Sequence, residues 1–398
     1  MVELELSVMV DAPNPVESLQ PLLDQFEAQH GIRVRVTVLP WKNAWSELVR
    51  VALYRHGPDV SQIGSTWVSN FVAMHALRPF TQQELAAMGG ESAFLPAAWQ
   101  SGSPSGEADM WAVPWLTDTR ILYYRRDLLA RAGVDERTAF GSADALEQTL
   151  RRLQAGGVSG PWSASTQRAT THIHSVASWM WGAGGDFVSA DGKRILFNQK
   201  EALAGIRAYF ALHRYLPPQA RHLSDAQAND LFNQGQAAVM SSGPWEARLL
   251  EANTVAPSMA TNVGTALVPG TPFVGGSNLV VWGHTRQEQA AVELVRFLTS
   301  LEAQIAYTQH IYIPPARLNA LTAPHFTDNP LYRVLADALR KGRAFPSIPS
   351  WGLLEEELNA AFFRIWSNVS ADPDIDLDAV IGEHIEPLAY RLKSALSR

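Results

Sequence analysis

The chain up to Ile63 switches repeatedly between two hydrophobic periods, and this constrains the fold more than any other feature. Leu4–Val10 alternates apolar and polar side chains as a strand does, after Glu3 and before Asp11-Ala12-Pro13-Asn14-Pro15. Val16–His30 then carries Leu19, Leu22, Leu23 and Phe26 at helical spacing and stops at Gly31, a residue suited to the left-handed C′ position. Ile32–Leu39 sets Val34, Val36 and Val38 against Arg33, Arg35 and Thr37, which predicts a strand. A helix over Trp41–Arg55, closed by Gly57-Pro58, leads to a third strand, Val60–Ile63. Strands joined by helices at such short spacing predict an α/β fold with a parallel sheet and helices on both faces.

The same grammar continues. Strands are predicted at Ile121–Tyr124, Thr265–Val268 and Asn278–Trp282, and helices at Arg125–Ala132, Ala143–Leu153, Thr171–Trp181, Glu201–Tyr215, Ser224–Asn233, Gln287–Leu301 and Glu302–His310. Residues 329–398 read as mostly helical, with a break at Phe345–Ser350. Gly235–Trp245 is the most informative stretch. Ala237–Ser242 predicts a short buried strand, and Pro244 suits the first position of the helix that follows. Trp245 therefore stands at a strand-to-helix turn, where ligands of open α/β sheets settle. It is either a platform for a ligand or a plug of the core.

Composition narrows the function. A net charge of −7 without a basic cluster argues against nucleic acid as a partner. The absence of cysteine excludes disulfides, thiol nucleophiles and thiolate metal sites. No window resembles a membrane span, and the first residues have neither a basic n-region nor an apolar h-region. That fits a cytosolic chain or one whose leader has been removed. The thirteen tryptophans are the anomaly. Trp41, Trp45, Trp67, Trp115, Trp245 and Trp351 fall in loops or at loop-to-helix junctions near Pro and Gly, whereas Trp162, Trp179, Trp181, Trp282 and Trp366 read as packing residues. Sugar rings present an apolar C–H face that stacks on an indole, and their hydroxyls call for Asp, Asn and Arg.

Other motifs are weak. There is no Walker loop, and Gly182-Ala183-Gly184-Gly185 lacks the last glycine of a dinucleotide-binding turn. His172 and His174 have a metal-ligand spacing but no companions, so His172 reads better as a polar contact in a pocket. Asp372–Glu383 resembles a calcium loop but has Leu377 where glycine is needed; a solvated turn with Asp376 capping the last helix is expected instead. Asp11, Asp118 and Glu246 are the carboxylates placed for acid–base work.

A resemblance runs through these segments in order. Phe26–Val34, Gly57-Pro58-Asp59-Val60, Ala76–Phe80, Val113-Pro114, Leu122–Leu129, Gly184-Gly185, Phe232–Trp245, Gly275-Gly276, Ala290–Ser300 and Pro314-Pro315 are similar to motifs of the family 1 extracellular solute-binding proteins of ABC importers. These are carbohydrate binders that include maltose-binding protein. The resemblance implies a two-lobed periplasmic-binding-protein fold of type II, with parallel-rich sheets flanked by helices and lobes joined by three hinge crossings. Lobe one would hold 1–115 and 275–315, and lobe two 116–274 and 316–398, with ligand in the cleft between them and hinge closure over it.

The resemblance also implies that Trp245 is the family's stacking tryptophan and Asp118 a carboxylate of the first crossing. Thr66 and Trp67 lie in a sugar-contacting loop, Asp11 in the loop after the first strand, and Trp351 at another stacking position. His172 falls at a helix start that faces ligand. With Trp41, Trp45, Trp115, Gly276, Ser277 and Arg317 they make up the expected binding set. Thr66 stands where relatives carry an acid, and Tyr124-Arg125 replaces the family's Tyr-Asn. The implied protein is a non-enzymatic, extracytoplasmic, monomeric binder of a di- or oligosaccharide, with ABC permease subunits as partners and no cofactor or metal. Two alternatives remain at this point. One keeps the fold but binds a polyol, a glycerol-phosphate ester or a polyamine, with Arg317 as the candidate phosphate ligand. The other is a glycoside hydrolase using Asp118 and Glu246.

Overall fold

The period changes at the start of the chain become strands and helices where they are expected. The computed structural model describes residues 2–169, 171–217, 220, 222–251, 259 and 261–396, with side chains described through 393. Strand β1 (Val2–Met9) is followed by a helix over Pro15–His30, β2 (Ile32–Leu39), a helix over Trp41–Tyr54 and β3 (Val60–Gly64). Gly31 closes the first helix at φ 66°, its N–H bonded to the Glu27 carbonyl at 2.8 Å. The remaining strands are β4 (Leu77–Arg78), β5 (Val113–Thr119), β6 (Ile121–Arg125), β7 (Trp162–Ser163), β8 (Val239–Ser242), β9 (Val263–Leu267) and β10 (Val274–Trp282).

The chain divides into two units. Unit one is Met1–Asp118, Val274–Asn329 and Ala344–Gly352; unit two is Thr119–Phe273, Pro330–Arg343 and Leu353–Arg398. Residues 316–329, expected in lobe two, belong to unit one. Backbone bonds explain this: Leu95 N–H reaches the Ala316 carbonyl at 2.9 Å and Leu318 N–H the Ala93 carbonyl at 3.0 Å. The segment 344–352 also returns to unit one, where Ser105 N–H meets the Ser347 carbonyl at 2.6 Å and the hydroxyls of Ser69 and Ser347 lie 2.7 Å apart.

In unit one the strands run in the order β2-β1-β3-β10-β4, with β5 also paired to β10. β1 is parallel to β2 and β3, whereas β10 is antiparallel to β3 and β4. β1 packs Leu4, Leu6 and Val8 fully inside, while β2, at the edge, keeps Arg33 and Arg35 in water. Trp282 Nε1 donates to Ser61 Oγ at 2.7 Å, so this core indole has the partner that burial demands.

In unit two the order is β7-β8-β6-β9. Here β6 is antiparallel to both β8 and β9, and only β7–β8 is parallel. Besides β7–β8, the parallel pairs are concentrated in β1, β2 and β3. Those are the strands joined by single helices, the connection that parallel neighbours require. β6 enters from unit one without such a helix, so nothing local dictates its direction. Trp162, Trp179 and Trp366 are buried here, as their packing assignment requires.

Candidate functional site

Unit one collects polar and aromatic groups at the carboxyl ends of β1 and β3, where helices begin. Gln62, on a strand otherwise closed to water, organises them. Its Oε1 accepts the Met9 N–H at 2.7 Å, and its Nε2 donates to Asp11 Oδ2 at 2.6 Å and to Ser277 Oγ at 2.8 Å. Trp41 Nε1 donates to the other carboxylate oxygen of Asp11 at 3.0 Å. Burial raises the pKa of Asp11 above the ordinary aspartate value, and the charge of Asp118 adds to the rise. The two donated hydrogen bonds act against it.

The indoles pack around this group. Trp67 meets Trp41 edge-on at a ring separation of 5.8 Å and Trp45 at 5.5 Å, and Trp45 rests on Phe71 at 5.3 Å. Trp41 and Trp45 nevertheless remain 40% and 37% exposed. Thr66 lies half-buried in the short turn Ser65–Trp67. Asp11, Trp41, Trp45, Thr66, Trp67, Asp118 and Ser277 thus fall in one unit. Gln62 was not anticipated; its signal was an amide side chain inside the apolar run Val60–Ile63.

Four expected residues have other work, all in unit one. Trp115 is 1% exposed and stacks flat on Tyr307, ring centroids 5.1 Å apart and planes 7° apart. It is a core residue because β5 runs inside the unit rather than along its margin. Trp351 is likewise 1% exposed, stacked on Phe345 at 4.6 Å. Gly276, at φ 129°, lets β10 pass close to β5: a Cβ there would lie 2.1 Å from the Leu116 carbonyl oxygen. Arg317 spends its guanidinium on two backbone carbonyls, Nε to Thr299 at 2.9 Å and Nη2 to Met88 at 2.6 Å, beneath the Phe94 ring. It is a structural clamp rather than a phosphate ligand.

Unit two builds a different arrangement around Trp245. β8 ends in Ser241 and Ser242, Gly243 turns the chain, and Pro244 opens a helix over Pro244–Glu251. Gly243 is required because a Cβ would sit 2.2 Å from the six-membered ring of Trp245. The Arg120 guanidinium lies over that indole at 4.8 Å from the ring centre. Beneath is a recess of about 30 Å³ lined by Arg120, His172, Tyr209, Asp225, Ser242 and Trp245 among others. His172 is 2% exposed, its Nε2 is 2.8 Å from the Gln167 carbonyl, and burial lowers its pKa. His174 stands with Nδ1 3.4 Å from Arg120 Nη2, its ring stacked on Phe273 at 4.3 Å and its Nε2 3.5 Å from Glu355. Among the described residues no group of three His, Asp or Glu side chains could hold a metal ion.

Glu246 follows Trp245 but is completely buried, its pKa pushed up to about 7 by that burial. A carboxyl with no exposed surface has no route to a glycosidic oxygen, so the hydrolase role considered for it lacks geometry. Asp376 accepts the N–H groups of Asp378 and Ala379 at 3.0 and 3.2 Å, the cap expected in place of a calcium loop.

This pair of α/β units, with indoles at strand-to-helix turns in each, has the fold of the bacterial sugar-binding receptors. The structure superposes with a TM-score of 0.84 on the sugar-binding protein MalE of Xanthomonas citri, 23% identical, covering 100% of this chain and 98% of that one. The GacH receptor of Streptomyces glaucescens, solved unliganded and with acarbose, gives 0.79 at 23% identity over 98% of this chain and 99% of its own. In sequence, the diacetylchitobiose binding protein DasA of Streptomyces coelicolor is 22% identical over 366 residues, 88% of this chain and 81% of DasA. The chain belongs to the bacterial extracellular solute-binding protein family, whose model matches residues 12–305.

Proposed function

We propose that this protein binds a di- or oligosaccharide outside the cytoplasm and delivers it to the membrane subunits of an ABC importer. The observation that carries the reading is the indole cluster of unit one. Two tryptophans are held with over a third of their surface in water, against a third indole and beside a hydrogen-bonded carboxylate. Exposed aromatic surface so arranged has no packing purpose and suits the alternating apolar and hydroxylated surface of a sugar. Family membership and the sugar ligands of DasA, GacH and MalE support it.

In this reading Trp41, Trp45 and Trp67 stack on sugar rings and Asp11, Asp118, Thr66 and Ser277 meet hydroxyls. Trp245 and His172 serve from unit two. More than one stacking face favours more than one ring. The protein works outside the cytoplasm as a monomer without cofactor. Among the described residues no helix is long and apolar enough to cross a membrane.

A thermal-shift and Trp-fluorescence screen of mono- to trisaccharides tests the reading. A true ligand at a hundredfold excess over Kd stabilises the fold by about 2.7 kcal/mol, a shift of a few degrees. A melt that no saccharide moves, but a polyamine or glycerol phosphodiester does, overturns it. Sustained cleavage of a bound oligosaccharide overturns it too.

A further inference from the structure

The guanidinium over Trp245 is tethered at both of its terminal nitrogens. Arg120, 5% exposed at the turn between β5 and β6, donates from Nη1 to the Thr119 carbonyl at 3.2 Å. Its Nη2 lies 3.4 Å from Nδ1 of His174. The imidazole is in turn placed by its own neighbours. Its ring stacks on Phe273 at 4.3 Å with planes 12° apart, and its Nε2 stands 3.5 Å from a Glu355 carboxylate oxygen. Thr119 Oγ1 donates to the Phe273 carbonyl at 2.6 Å, so the stacking partner is tied to the residue beside Arg120. The side chains of His174 and Glu355 are only 17% and 16% exposed. Trp245, Arg120, His174 and Glu355 thus form a chain of contacts within unit two.

Donor and acceptor chemistry fixes the state of that imidazole. Arginine offers only N–H donors, so the nitrogen that meets it carries the lone pair. Nδ1 is therefore bare, and the ring proton sits on Nε2, facing Glu355. A proton added at Nδ1 would set a second cation 3.4 Å from the guanidinium, donor against donor. Arg120 faces the ring from the turn after β5, Glu355 from the helix over Trp351–Ala371, and Phe273 brings only its own ring. Glu355 attracts the extra charge but already faces the Nε2 proton, so no new contact replaces the one lost.

We infer that His174 is a positioning residue of the Trp245 site: its bare Nδ1 holds the Arg120 guanidinium over the indole, and Glu355 keeps His174 in the tautomer that can do so. The inference rests on the sugar-binding reading above, in which Trp245 is a stacking face. A ring and a cation fixed before the ligand arrives lose no freedom on binding it. Acid that protonates His174 releases Arg120, and the indole loses the cation that orients it. Affinity therefore falls as pH falls, although His174 itself does not meet the sugar.

The test begins with calorimetric titration of mono- to trisaccharides of glucose, galactose, mannose and N-acetylglucosamine. The tightest binder is then titrated from about pH 8 to about pH 5.5, the range in which an imidazole gains its proton. Native affinity should fall about fivefold across that range. His174→Gln offers Arg120 an amide oxygen that takes up no proton. It should bind about threefold more weakly than the native chain at the alkaline end and show less than half of the native fall. His174→Ala offers no acceptor and should lose about tenfold or more at the alkaline end. Side-chain NMR of the free protein, with the His174 signal assigned by its absence from the glutamine variant, should show the Nε2–H tautomer. An Nδ1–H tautomer, an alanine variant that binds like the native chain, or an unchanged pH profile in the glutamine variant overturns the inference while the sugar reading stands. If no saccharide binds, the sugar reading fails and the inference with it. Should the alanine variant not fold, the glutamine variant and the tautomer decide.

Discussion

The two units reach an aromatic surface by opposite routes. Unit one crowds Trp41, Trp45 and Trp67 together and leaves the outer two wet, with one buried amide, Gln62, steering the polar groups. Unit two offers a single indole, covered by Arg120 and seated on Gly243, with the polarity sunk beneath it. The first is an exposed aromatic cluster; the second is a lone indole beside a small polar recess. The contrast teaches that tryptophan count alone says little. Position relative to the sheet decides whether an indole stays exposed, as at Trp41, or packs, as at Trp115.

The largest expected effect breaks that contrast at its packing end. Trp115→Ala removes a fully buried ring stacked on Tyr307 and should cost about 3–5 kcal/mol of stability. Denaturant unfolding measures it. A loss below about 1 kcal/mol would mean that the ring is not part of the core. Any surviving folded protein should bind ligand with nearly native affinity.

Glu246, in unit two, gives the next effect, and it is read by pH. Burial pushes its carboxyl up to about 7 in the folded chain from an ordinary 4.5, so the folded state holds a proton that the unfolded state gives up. Its contribution is therefore fully present below about pH 4.5, and stability falls as pH rises towards 7, by about 3 kcal/mol in all. Glu246→Gln should flatten that fall in denaturant midpoints measured between pH 5 and 8. An unchanged pH profile would show that the buried carboxyl is solvated after all.

How much of this was legible in the chain follows from what is local. Helix starts, the Gly31 stop, the Pro244 opening and the parallel β1–β3 core are set by residues a few positions apart, so period and punctuation disclose them. The antiparallel direction of β6 and β10 and the return of 344–352 to unit one are set by distant contacts, and no period records those. The same division holds in the site. Asp11, Trp41 and Trp67 sit at strand or helix ends, where ligand groups are sought, and the structure brings them together. Trp115 and Trp351 sit beside prolines too, yet neighbours far along the chain, Tyr307 and the turn carrying Phe345, bury them. Arg120 was overlooked because an arginine between two strands looks like any other until Trp245 is folded over it.

Third in size, the two kinds of indole can be compared directly. Trp41→Ala deletes a ring that is 40% exposed, so stability should drop by less than about 1 kcal/mol, while sugar affinity falls roughly 30-fold, about 2 kcal/mol. Trp245→Ala should also weaken binding at least tenfold, about 1.4 kcal/mol, but it additionally uncovers Arg120. Calorimetric titration of the sugar that binds measures both losses. Unchanged affinity in either variant would remove that indole from the binding surface.

The smallest effect probes the steering of unit one. Asp11 accepts from Trp41 and from Gln62 on separate oxygens, and asparagine has only one oxygen to offer. Asp11→Asn would set its own N–H donors against one of those two, so the Trp41 ring loses its anchor or Gln62 loses its bond. Because burial raises the Asp11 pKa, the native carboxylate is held against a desolvation cost that the neutral amide avoids. The two changes offset, and the net stability change should lie within about 1 kcal/mol. Affinity should fall about three- to tenfold, since Trp41 keeps its surface but not its orientation. Calorimetric titration measures that loss. An unchanged affinity would show that the Asp11 carboxylate does not hold Trp41 in its binding orientation.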